Sequence, residues 1–153
     1  MERMISTCRR VVTGLDDEGR SCVVIDGPIP DFESAIAAYA WRTESLPADN
    51  SGREDTAVPY EIDHLHSGGS NFALCTFPPC TEAYMHATDT IDYLVVLKGR
   101  VCMVLEAGEV TVGAGDFVVV RGVMHGWRNP FDEPCVCAVV NLPAGPVGGG
   151  RTI

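Results

Sequence analysis

From about Arg9 onward the chain alternates short apolar runs with clusters of turn residues, the pattern of an all-β barrel or sandwich. Residues 11–13 and 22–26 read as strands around a 16–20 turn. The stretch 35–41 is ambiguous: its alanines permit a helical turn, whereas Trp41-Arg-Thr-Glu suits an edge strand. Residues 48–56 are polar and glycine-bearing, a surface loop. The second half is clearer, with strands expected at 60–66, 71–77, 91–97, 101–105, 110–112, 116–120, 126–128 and 135–142. Lys98-Gly99 and Ala107-Gly108 mark tight turns. Asn129-Pro130 opens another, and Pro134 fits only at a strand's margin. Three runs, 93–97, 117–120 and 136–140, are apolar on both faces, as strands covered on both sides are.

At 153 residues the chain has the length of one domain with one real core. That domain is expected over 1–144, with 145–153 as a flexible glycine-rich tail. No apolar run is long enough to span a bilayer, and the basic start lacks the apolar stretch of a secretory signal. A soluble, cytoplasmic protein with no membrane partner is the expectation. The formal net charge of −10, with no cluster of Lys and Arg, argues against a nucleic-acid partner. Seven cysteines, an odd number without a C-x2-C pair, suggest free buried thiols rather than a disulfide framework or a zinc ribbon.

Two segments stand apart from this background. One runs from His86 through Thr88, Asp92 and Tyr93 to Gly99, the other from Gly115-Asp116 through Arg121-Gly122 to His125-Gly-Trp127-Arg-Asn129. Together they resemble the two signature motifs of the cupin superfamily, G-x5-H-x-H-x3,4-E-x6-G and G-x5-P-x-G-x2-H-x3-N. The resemblance extends over most of the chain, from about Arg9 to Leu142, and points to the short single-domain cupins of bacteria and fungi. It implies an all-β fold, the cupin-type double-stranded β-helix or jelly-roll barrel, and a homodimer. It also implies a divalent metal (Fe, Zn, Mn or Ni) at the motif positions, here His86, Asp92 and His125. This chain has Thr88 where the family's second histidine stands, Asp92 in place of glutamate, and no motif proline.

On one straight strand His86 and Asp92 would lie roughly 20 Å apart. They converge only if the chain doubles back at 87–90, its one polar interruption. Two imidazoles and a carboxylate that did meet would form a facial-triad ligand set. With no metal, His86 and His125 are an acid–base pair near neutral pH, with Asp92 orienting one ring. Trp127 shares the face of His125 and is a candidate wall for a substrate, with Thr88 lining the same pocket. An inward Arg121 would hold a substrate carboxylate, an outward one a surface ion pair. Tyr93 points away from Asp92. His64-x-His66 either adds two histidines to the pocket or lies solvated beside the Ser67-Gly68 loop.

The expected function is an enzyme acting on a small apolar, aromatic or polyketide-like compound, a carboxylate among the choices, by decarboxylation, dehydration, isomerisation or cyclisation. A non-catalytic ligand-binding barrel and an iron-dependent dioxygenase are the alternatives.

Overall fold

The computed structural model describes residues 8–34 and 36–153; residues 1–7 and Ala35, the first residue of the ambiguous stretch, lie outside the described residues. Ten strands follow one another: β1 (Arg9–Leu15), β2 (Ser21–Pro28), β3 (Ala37–Arg42), β4 (Asn71–Phe77), β5 (Thr90–Lys98), β6 (Arg100–Leu105), β7 (Gly108–Gly113), β8 (Phe117–Val120), β9 (His125–Arg128) and β10 (Cys135–Pro143). All pairings are antiparallel. β1 and β2 form a separate hairpin, β3-β4-β10-β5-β8 a five-stranded sheet, and β7-β6-β9 a three-stranded one. From Ala37 onward the ambiguous stretch is therefore strand, and its position at the sheet's edge matches its mixed composition.

The two larger sheets close on a common core. Tyr39, Ala73, Leu94, Val96, Val118, Cys135, Cys137 and Val139 from the first meet Val101 and Val112 from the second. Alternation along each strand sets this face: in β5, Leu94 and Val96 are buried while Tyr93 and Leu97 are about half exposed. Phe72, Phe117 and Val119 join those two on the outer, apolar face of the five-stranded sheet. This antiparallel two-sheet closure is the double-stranded β-helix. No disulfide joins any of the seven cysteines.

One predicted strand is absent. Residues 60–66 do not pair; instead Ile62–His66 forms a 3-10 helix. The alternation of Tyr60 to Asp63 mimics a strand, but it breaks at His64-Leu65. The His64 N–H turns back to the Glu61 carbonyl instead, at 3.1 Å.

Turn glycines set the register where the sequence marked them. Gly99 has φ +72°, and a Cβ there would stand 2.4 Å from the Pro134 carbonyl oxygen. The β5–β6 turn can thus pack directly under the start of β10.

The glycine-rich end, expected to be flexible, is tied back to the barrel. The Thr152 N–H donates to the Ala87 carbonyl and the Arg151 N–H to Asp89 Oδ1, both at 2.9 Å.

Candidate active site

The segment between β4 and β5 carries no continuous ladder, but it meets β9 and the residue just after it at two isolated antiparallel pairs, His86–His125 and Thr81–Asn129. At the first, reciprocal backbone bonds of 2.8 and 2.9 Å put the two residues opposite each other. Their rings then lie on the same side, with centroids 4.5 Å apart. Two imidazoles distant in the chain are thus brought together inside a closed β scaffold.

Each ring is fixed in the same way. His86 Nδ1 lies 2.9 Å from the Tyr84 carbonyl, and His125 Nδ1 lies 2.9 Å from the Val123 carbonyl. A carbonyl only accepts, so both Nδ1 atoms carry hydrogen, and Nε2 is the free basic atom of each neutral ring. His125 is buried, with 3% of its surface exposed, whereas His86 is partly open to solvent. Burial lowers the His125 pKa, and the neighbouring His86 lowers it further; its bond to Val123 and the Asp92 charge act the other way.

That shift gives a pH dependence with a definite sign. His125 is held neutral in the fold, while the unfolded chain protonates near pH ~6.5. The unfolded state therefore takes up protons first, so this contribution to stability is present above that pH and is lost as the pH falls. Burial lowers His64 too, in the same direction. Melting midpoints recorded from pH 7.5 to 5.5 should fall, and His125→Gln should flatten the slope. A slope identical in that variant would contradict the assignment.

Asp92 is drawn in differently from expectation. Thr88, Thr90 and Asp92 alternate along one face, and their side chains form a relay. Thr90 Oγ1 donates to Asp92 Oδ1 at 2.8 Å, so the Thr88–Thr90 contact of 2.7 Å has Thr88 as donor. Asn141 Nδ2 donates to the same Oδ1 at 2.8 Å. Asp92 does not hold either ring; backbone carbonyls do that, and Asp92 acts on His125 through its charge. Gly122, at φ +68°, lets the β8–β9 turn pass beneath this relay, where a Cβ would come within 3.1 Å of the Thr88 carbonyl.

Below the two rings the interior is aromatic and apolar. Trp127 stands edge-on to His125 at 6.2 Å and packs on Phe77 at 5.3 Å. Tyr60, Cys75, Phe77, Met103 and Trp127 pack against the core yet keep part of their surface accessible. The Asp92 charge reaches Tyr60 and Cys75, and burial pushes the Cys75 thiol up to about 12. Tyr60, Cys75 and Asn141 were not singled out from the sequence. For Asn141 a signal exists: it shares the inward register of Cys135, Cys137 and Val139 in an otherwise apolar strand.

The remaining candidates lie elsewhere. Arg121 is exposed. His64 meets the buried Tyr39 hydroxyl through Nδ1 at 3.1 Å, and His66 Nε2 accepts from the Asp89 N–H at 3.4 Å. Neither joins the His86–His125 pair.

A catalytic metal of the type considered takes three protein ligands. Among the described residues no group of three or more His, Cys, Asp or Glu is placed to hold an ion. His86 and His125 offer two free Nε2 atoms, and among the described residues no third His, Cys, Asp or Glu joins them, so the residues described do not fit such a centre.

The pattern of the cupin domain family matches residues 73–141, which contain both histidines, Asp92 and Trp127. Phomopsin biosynthesis cluster protein D of Diaporthe leptostromiformis is 33% identical over 140 residues, covering 82% of this chain and 72% of its own length. The chain belongs to the cupin family. A cupin-domain-containing oxidoreductase of Aspergillus ruber, fogC, is 33% identical over 134 residues, covering 82% of this chain and 66% of that protein. This cupin therefore spans between 66% and 72% of the length of those two relatives. Among solved structures, a cupin 2 conserved barrel domain protein from Salinispora arenicola is 24% identical with a TM-score of 0.45, over 49% of this chain and 64% of that one. No helix among the described residues is long and apolar enough to cross a membrane.

Proposed function

We propose that this cupin is an enzyme of small-molecule biosynthesis that moves protons on a neutral, partly aromatic substrate, with His86 and His125 as its acid and base. The observation that carries this reading is the 4.5 Å imidazole pair with both Nδ1 atoms committed to carbonyls. Burial and the neighbouring His86 both lower the His125 pKa, so a proton on His86 Nε2 leaves His125 Nε2 bare beside it. One ring is then an acid beside a base, the requirement for enolisation, double-bond isomerisation or elimination of water. Relatives named for a biosynthesis cluster and as an oxidoreductase support an enzymatic role in secondary metabolism.

The surroundings narrow the substrate. The charged groups that act on His125 are His86 and Asp92, and no lysine or arginine is among them. A carboxylate substrate would meet Asp92 with Arg121 out of reach. Tyr60, Phe77, Met103 and Trp127 favour a flat apolar body instead. Asp92, held by Thr90 and Asn141, accepts a hydroxyl hydrogen from such a compound.

Deuterium wash-in tests the reading. Metal-stripped protein in D2O, given an enolisable hydroxyaryl ketone, should incorporate deuterium next to the carbonyl, and a chelator should not slow it. Exchange that disappears on chelation and returns with Fe(II) would overturn the proposal in favour of metal-dependent chemistry.

A further inference from the structure

His86 stands on a segment that pairs through isolated bridges and no continuous ladder, and the spacing of the two rings depends on what holds it. The Tyr84 carbonyl that orients the His86 ring belongs to the same segment as His86, and the Val123 carbonyl to the same segment as His125. Neither bond fixes one ring relative to the other. That task falls to the backbone. His86 commits its N–H and its C=O to His125. In extended chain the next residue turns these groups to the opposite edge, and there Ala87 meets Thr152. The Ala87 N–H donates to Thr152 Oγ1 at 2.9 Å, and the Thr152 N–H donates to the Ala87 carbonyl at 2.9 Å. Two residues on, the Ala144 N–H bonds the Asp89 carbonyl, and the Arg151 N–H bonds the Asp89 carboxylate, each at 2.9 Å.

The geometry points to Thr152 as a positioning residue for the His86 imidazole, clamping its segment from the edge opposite His125. The inference rests on reading the histidine pair as the acid–base centre. Ala87 is buried, so its N–H has no ready water substitute when the Thr152 hydroxyl is removed. Thr152 itself is exposed, so replacing it does not open the core. A hydroxyl is what the position requires: serine retains the acceptor, and valine keeps the shape without it.

Thr152→Val and Thr152→Ser, made in the full chain, test this with three readouts. Thr152→Val should speed amide exchange at Ala87 by about 5-fold or more. It should weaken the through-space NMR contact between the His86 and His125 ring protons. It should also lower kcat for deuterium wash-in on the order of 10-fold with KM little changed, and Thr152→Ser should restore all three. Faster Ala87 exchange with the ring contact and kcat unmoved would make Thr152 merely structural and overturn the inference. Failure of the unsubstituted protein to wash in deuterium would instead sink the acid–base reading, while the ring contact in the two variants still decides the clamp.

Discussion

Replacing His125 with alanine should lower the rate of deuterium wash-in by about 10²–10⁴-fold, and His86→Ala should do nearly the same. The reason lies in the coupling of the two rings. Each ring is useful because the other takes the opposite protonation state, so removing either leaves an acid without its base. The double variant should therefore be little worse than the worse single one, since residues that act as a unit are not additive. Independent, multiplying losses would mean that the rings serve separate purposes. Burial makes His125 the more costly position for the fold, because its ring fills an enclosed site while His86 is partly open. His125→Gln keeps more of that volume and separates lost chemistry from lost packing.

Asn129→Ala should be among the most destabilising single changes, by roughly 3 kcal/mol or more. Asn129 is fully buried. Its Nδ2 donates to the Phe77 and Glu133 carbonyls, both at 2.9 Å, and its Oδ1 accepts from the Phe131 N–H at 3.1 Å. Its backbone pairs with Thr81 in both directions. One side chain thus joins the end of β4 in the larger sheet, the turn before β10, and the strand carrying His125. Removing it takes the partner from three backbone groups, at a cost of roughly 1–3 kcal/mol for each that water does not reach. For a chain of this length the melting midpoint should fall by roughly 10 °C. Asn129→Asp should not rescue it, since a carboxylate cannot donate to the two carbonyls. A loss under about 1 kcal/mol in urea unfolding would show that water replaces the amide and that this joint is not structural.

The strands were legible because alternation and turn glycines act locally. β4 has the bounds its sequence suggested, and every strand from β5 to β10 lies within two residues of its expected limits. The 60–66 stretch misled because its alternation holds only to Asp63 and breaks at His64-Leu65, where the His64 N–H bonds the Glu61 carbonyl instead of a neighbouring strand. The meeting of His86 and His125 was legible from motif spacing. The means of holding them was not. Ring orientation comes from carbonyls two residues upstream, at Tyr84 and Val123, and a carbonyl leaves no mark in the choice of side chain. Likewise Asp92 was expected to orient a ring, but the register of Thr88 and Thr90 and the cross-strand Asn141 turn its Oδ1 into a hydrogen-bonded relay instead. For the 145–153 segment, expected to be flexible from its glycines, composition carried no sign of the bonds from the Thr152 N–H to Ala87 and from the Arg151 N–H to Asp89.

The most direct test of the coupled pair is 15N NMR of the imidazole nitrogens across pH 5 to 8. At the upper end of that range both rings should show a protonated Nδ1 and a bare Nε2. As the pH falls, His125 Nε2 should gain its proton at lower pH in the intact protein than in His86→Gln, because a charge on His86 opposes a second one on His125. A His125 titration that is the same in His86→Gln, or a bare Nδ1 on either ring, would contradict the account.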